Sequence, residues 1–189
     1  MGSLYLYRPG DRFSPAELTA ARIDGDLTEI GEAFMPTDAV ETADLRGRSL
    51  RGVVPSQLAA TRATAAWVHG ALADLPVRLT LQRASDTRVH RIVDARIDYS
   101  DQRLPLAHMC EVGGMLVSTP ERTLADLVRD RCAGMSDAEA TIAAMIAWRP
   151  GLVDRTARWL AAAPPVHHKR AALAHLRRRA QEVAALTRS

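Results

Sequence analysis

From Gly113 to Asp130 the chain reads GGMLVSTPERTLADLVRD, and no other run restricts its fold as tightly. Met115 to Val117 is apolar and β-branched enough for a buried strand. With AHMCEV before it, the strand completes a hairpin whose two-residue Gly113-Gly114 turn needs the positive φ that glycine adopts most readily. Thr119 can then accept a bond from the exposed amides of a first helical turn, and Pro120 lacks an amide where none is needed. Glu121 complements the positive end of that helix, Arg129 and Arg131 its negative end, and Leu124, Leu127 and Val128 form its buried face. The run is an efficient strand-to-helix corner, and taken alone it is structural.

The rest of the chain falls into place around this corner. LYLYR opens as a short alternating strand with a turn at Pro9-Gly10. Ser14, Pro15 and Glu17 form a capping box for a helix that Gly25 stops. Leu27 to Met35 alternates around Gly31 as a small hairpin ending at Pro36, and Ala43 to Leu50 reads as a helix. Val53-Val54-Pro55 reads as a brief strand. Ser56 is then expected to cap a helix over QLAATRATAAWVHGAL, with Leu58, Ala65, Val68 and Leu72 on one side. VRLTLQR alternates with Val77, Leu79 and Leu81 inward, and TRVHRIVDARIDY supplies one or two more strands.

After Cys132 the pattern turns helical. Ser136 and Glu139 form a second capping box opening DAEATIAAMIAW, Pro150-Gly151 breaks it, and LVDRTARWLAAA runs to the break at Pro164-Pro165. The last helix carries Leu173, Leu176, Ala180 and Val183 as an apolar seam opposite its arginines. The fold class is α+β, mixed in the first two thirds and helical in the last.

With 189 residues and 47% apolar content the chain can bury a real core, and no run approaches a membrane span. The first residues, MGSLYLYRPGDRF, lack the apolar stretch of a signal peptide. Cys110 and Cys132 form no Cys-x-x-Cys pair and read as free thiols, so a cytoplasmic protein is expected. Charge is distributed unevenly. Residues 167–189 hold six basic side chains against Glu182, a net +5, whereas residues 1–50 hold five arginines against nine acids, a net −4. The whole chain is +3, so everything before residue 167 sums to −2.

An acidic helix-plus-hairpin, then TAAWVHGAL, VRLTLQR and GGMLVSTPERTLADLVRD, then a helical tail: this series resembles the AbiEi family of antitoxins and transcriptional regulators from bacterial type IV toxin–antitoxin pairs. The resemblance runs in order over residues 12–132 and is strongest at Thr64–Leu72 and Met115–Val128, which are core and corner signals without chemistry. It implies an abbreviated winged-helix-like region over residues 1–50, a small mixed α/β antitoxin core over 51–133, and a C-terminal helical segment over 134–189. It also implies a cognate nucleotidyltransferase-like toxin encoded beside this gene, and repression of the shared operon through promoter DNA. Two departures concern DNA. Only about 13 residues separate Phe13 from the hairpin, room for one helix rather than a helix-turn-helix pair. The wing reads TEIGEAFMP, with Glu29 and Glu32 where phosphate-binding charge is expected.

Catalytic patterns do not assemble. A nucleotidyltransferase needs Gly-Ser or Gly-Gly, a spacer of roughly ten residues and two acids one residue apart to hold magnesium. Gly113-Gly114 has Asp126 at a workable distance, but position 128 is Val, and Asp24 with Asp26 has no such glycine pair before it. A nuclease of the restriction-enzyme type needs an acid two residues before Lys or Gln, and no acid stands there. The six histidines, His69, His90, His108, His167, His168 and His175, show no ligand spacing with Cys or carboxylate beyond His168 and His175 two turns apart. Ser118 and Thr119 have no base and are explained by capping; Trp67, Trp148 and Trp159 read as core or interface. No catalytic residue, metal or cofactor is therefore expected.

What remains is the tail PVHHKRAALAHLRRRAQEV. On a helix Arg170 and Arg177 share a face, with Lys169, Arg178 and Arg179 beside it, and an exposed arginine stripe can reach phosphates while the leucine seam packs on the body. Three readings stay open: an antitoxin that also binds its promoter, a DNA-binding regulator or interaction module of the same fold without a toxin partner, and a small hydrolase or metal enzyme with a scattered site.

Overall fold

A computed structural model describes residues 6–89, 94–135 and 138–186. Helix α1 (Pro15–Ile23) opens on the expected capping box: Ser14 Oγ accepts from the Glu17 amide at 3.3 Å, and the Ser14 amide donates to the Glu17 carboxylate at 2.7 Å. The antiparallel hairpin of β1 (Leu27–Ile30) and β2 (Ala33–Pro36) follows, and Tyr7 extends it by exchanging backbone bonds with Phe34 at 2.8 Å. Helix α2 (Ala43–Leu50) starts at Thr42, whose hydroxyl accepts from the Leu45 amide.

The main sheet has five strands in the order β5 (Ile97–Ser100), β4 (Leu79–Arg83), β3 (Leu58–Ala60), β7 (Met115–Ser118) and β6 (Met109–Val112). β3 runs antiparallel to β4 and parallel to β7; β6 and β7 are the expected hairpin, with Gly113 and Gly114 at φ +60° and +74°. Successive β3 residues alternate between faces: Leu58 and Ala60 join one core, Ala59 packs with Ala84 and Leu104 on the other side.

Three local expectations are corrected here. Val53 and Val54 are not a strand: both amides donate to the Leu50 carbonyl, at 3.0 and 2.9 Å, and so form the closing turn of α2. The helix read from Ser56 begins only at Arg62. Residues 58–60 are the middle strand of the sheet, and α3 (Arg62–His69) is preceded by Thr61. Ala59 and Ala60 are fully buried between neighbouring strands, so sheet pairing overrides alanine's helical preference. Val77 does not face inward; it is 88% exposed because pairing between β4 and β5 begins at Leu79.

The last third is helical among the described residues: α4 (Pro120–Cys132), α5 (Ala138–Trp148), α6 (Leu152–Ala162) and α7 (Lys169–Leu186). Ser136 of the second capping box lies outside the described residues, as do His90 and Arg91 of the expected strand region. At the corner that precedes α4, Thr119 Oγ1 accepts from the Arg122 amide at 3.4 Å, Pro120 is the first helical residue, and Leu124, Leu127 and Val128 are buried. α4 is the common support, touching α3 on one side and α5, α6 and α7 on the others.

Two large cores result. One joins the N-terminal hairpin and α2 to the sheet, from Ile30 and Met35 through Leu50 and Trp67 to Val117. The other joins α4 to α7 through Leu124, Ile142, Leu160 and Leu176. α2 approaches the β6–β7 turn so closely that a Cβ on Gly47 would stand 2.1 Å from the Val112 carbonyl oxygen. No described helix is long and apolar enough to cross a membrane.

Candidate nucleic-acid interface

Helix α7 follows the Pro164-Pro165 break, and its register sorts the basic side chains. Ala172 and Leu176 are buried against the helical core, with Leu173 and Ala180 partly buried beside them. The side chain of Val183, the last seam position, lies outside the described residues. At 100° per residue, Lys169 falls on the seam side at the first turn, and its ammonium donates to the carbonyls of Ala161, at 3.0 Å, and Ala163. These are carbonyls at the end of α6, where the helix dipole also favours a cation. Arg179 flanks the seam toward α5 and pairs with Glu139, and at 3.2 Å with Glu182.

Arg170, Arg177 and Arg178 point away from the body. All three are exposed, and none has an ion pair among the described residues. Arg170 and Arg177 lie two turns apart, roughly 10 Å along the axis. The five basic residues picked from sequence therefore divide: three present free guanidinium groups on one surface, and two are engaged within the protein.

The N-terminal hairpin contrasts with this surface. Glu29 pairs with Arg22 at 3.3 Å and Glu32 with Arg96 at 2.7 Å, so acids and bases compensate there instead of leaving free cations.

Residues tested for catalysis take structural positions. Asp126 is 2% exposed, and both carboxylate oxygens are held, one by Arg122 Nε at 2.6 Å and the other by Arg129 Nη1 at 2.8 Å. With both oxygens on guanidinium groups, it is poorly disposed to ligate magnesium. The Ser118 hydroxyl does not cap; it pairs with the buried Thr123 hydroxyl at 2.7 Å. His69 bonds the Ser118 carbonyl at 2.8 Å and stacks on Trp148, and its burial lowers its pKa below the ordinary histidine value. Cys110 and Cys132 are free, half-buried thiols, and burial pushes the Cys110 thiol upward.

Sequence reasoning missed one grouping. Arg122, Asp126 and Arg129 lie at i, i+4 and i+7, one stripe of α4, and that spacing was legible. Their contact with His108, which comes from the 3₁₀ turn Leu106–His108, was not, because it depends on how the hairpin lies against α4.

Residues 58–158 match the family described as AbiEi antitoxin C-terminal domain. No curated protein matches the chain. Among solved structures, the crystal structure of the RV2827C protein from Mycobacterium tuberculosis is similar at 18% identity and a TM-score of 0.33, covering 86% of this chain and 70% of that one.

Proposed function

The chain belongs to the AbiEi antitoxin family, and on that premise we propose that it neutralises a cognate nucleotidyltransferase-like toxin and represses their common operon by binding promoter DNA. It acts by binding, not by catalysis. In this reading residues 51–133 carry the antitoxin core, residues 1–50 remain an abbreviated winged-helix-like region, and the helical segment 134–189 supplies the phosphate contacts. The observation that carries the DNA part is the trio Arg170, Arg177 and Arg178, exposed on one helix and without an ion pair among the described residues, while the hairpin's acids Glu29 and Glu32 are matched by arginines. A free guanidinium that meets a phosphate releases condensed counterions, which is the main sequence-independent source of affinity.

Anisotropy titrations of the chain's own promoter fragment over a salt series test this. Each lost contact should flatten the log–log slope by about 0.9. Replacing Arg170, Arg177 and Arg178 together by Gln is expected to weaken binding and flatten the slope, leaving the folded helix intact because none of the three holds the core. If Arg22→Ala abolishes binding while the triple variant keeps the slope, DNA is read by the N-terminal region and the charge argument fails. Co-expression with the neighbouring open reading frame tests neutralisation: growth arrest by that product, relieved by this chain, is the expected result.

A further inference from the structure

A cavity of about 210 Å³ lies between α4, the end of α6 and the segment before β6. Arg103, His108, Arg122, Asp126, Arg129 and Trp159 are among the residues that line it. Its charged lining is three arginines against the single carboxylate of Asp126, with the amide of Gln102 beside them. Asp126 has both oxygens occupied by Arg122 and Arg129. Arg122 Nη1 sits 3.1 Å from His108 Nδ1, and a guanidinium can only donate, so Nδ1 accepts and the neutral ring carries its proton on Nε2. Burial and Arg122 both hold the His108 pKa below the usual value, in keeping with that neutral form.

Several donors remain unspent. Arg129 uses Nε on the His167 carbonyl at 2.9 Å and Nη1 on Asp126, and Arg122 uses Nε and Nη1; the second terminal nitrogen of each has no partner among the described residues. Arg103 reaches the rim, tied by one nitrogen to Asp86, which is exposed. One buried carboxylate thus balances two guanidinium groups, leaving a net positive cavity. Asp126 also fixes both forks before any ligand arrives, which reduces the ordering cost of binding. The volume is below the roughly 300–1,000 Å³ of sites for drug-sized ligands, so it admits a small group rather than a whole large molecule. Trp159, packed edge-on against His108 at 5.0 Å, closes one wall.

We propose that this cavity is a phosphate-binding site, taking the phosphomonoester group of a nucleotide or of a nucleic-acid end. Two guanidinium groups two turns apart on α4, a rim arginine and the His108 imidazole in one cavity lining suit a tetrahedral oxyanion with several acceptor oxygens. The site is separate from the α7 surface and does not depend on the DNA reading given to it.

Isothermal titration of the full chain with inorganic phosphate at low ionic strength tests the proposal. Saturable one-to-one binding is expected, weakened at least tenfold by Arg129→Gln and at least threefold by Arg103→Gln. The paired change Arg177→Gln with Arg178→Gln should leave it unchanged. Arg103 is half-exposed and does not touch Asp126, so its variant decides the matter even where Arg129→Gln disturbs folding. Absence of saturable binding, or undiminished binding in Arg103→Gln, overturns the site. Adenosine monophosphate and a short oligonucleotide with or without a 5′-phosphate then identify the source. Tighter binding of the phosphorylated end than of its hydroxyl counterpart marks nucleic acid, and tighter binding of the monophosphate than of phosphate marks a free nucleotide.

Discussion

Arg46 joins α2 to the end of α3, and replacing it by Met is expected to cost about 3 kcal/mol of folding stability. The guanidinium is buried, with Nη1 donating to the Trp67 carbonyl at 2.7 Å and the Leu72 carbonyl at 2.6 Å. It lies 5.1 Å from the Trp67 ring centroid, and its Nε meets Glu41 at 2.5 Å. Leaving a buried carbonyl without a partner costs ~1–3 kcal/mol, and losing the cation over the indole costs a further ~0.5–1 kcal/mol. Glu41 is 40% exposed, so it rehydrates cheaply. Met keeps most of the aliphatic packing and removes the cost of burying a charge, which holds the net to the lower part of the range. For a chain of this size that corresponds to a melting point lower by roughly 6–12 °C. Urea denaturation followed by circular dichroism and tryptophan fluorescence measures it. Arg48→Met, on the same helix, is the control: its pair with Asp44 is exposed on both sides and is worth ~0–1 kcal/mol. Equal losses in the two variants would refute the claim that the buried guanidinium, rather than helical charge, secures this joint.

Two further outcomes follow from the same geometry. Gly47→Ala places a methyl group 2.1 Å from the Val112 oxygen and should cost ~1–3 kcal/mol by forcing α2 off the hairpin turn, whereas Gly52→Ala, whose nearest neighbour is a side-chain atom at 3.9 Å, should differ little from wild type in chemical denaturation. His69, His108 and His175 all have pKa values lowered from the usual 6.5, burial being the largest cause in each. Such groups take up protons more readily in the unfolded chain, so their stability contribution is intact above the unfolded pKa and is lost as pH falls from there toward the folded one. Thermal melts should therefore hold level above pH 7 and decline as pH falls below about 6.5, with His69, the most deeply buried of the three, contributing most. A profile unchanged across that window would contradict the burial of these rings.

The sequence alone determined those features whose causes lie within a few residues. Ser14 with Glu17, Thr119 with Pro120, and Gly113 with Gly114 act on backbone groups next to them, so their chemistry marks helix starts and a turn before any packing is known. The helical last third was legible for the same reason, through caps, proline breaks and a three-four seam. Family membership was legible too, since the order of those signals over residues 12–132 overlaps the matched span 58–158.

The tertiary structure decided what distant segments impose. Leu58-Ala59-Ala60 carries no strand signal of its own; it becomes one because Arg83 to Leu81 and Leu116 to Val117 pair on either side and bury both its faces. Val53 and Val54 carry a strand signal, yet without a partner they close α2. Charge counting found the basic tail, but only the packed helix separates Arg170, Arg177 and Arg178, which face outward, from Lys169 and Arg179, whose partners sit on α6 and α5. The arginine-lined cavity belongs wholly to this second class: an isolated α4 could align Arg122, Asp126 and Arg129, but His108 and Trp159 reach them only after the hairpin and α6 have docked, because burial and directional donors are properties of assembled surfaces.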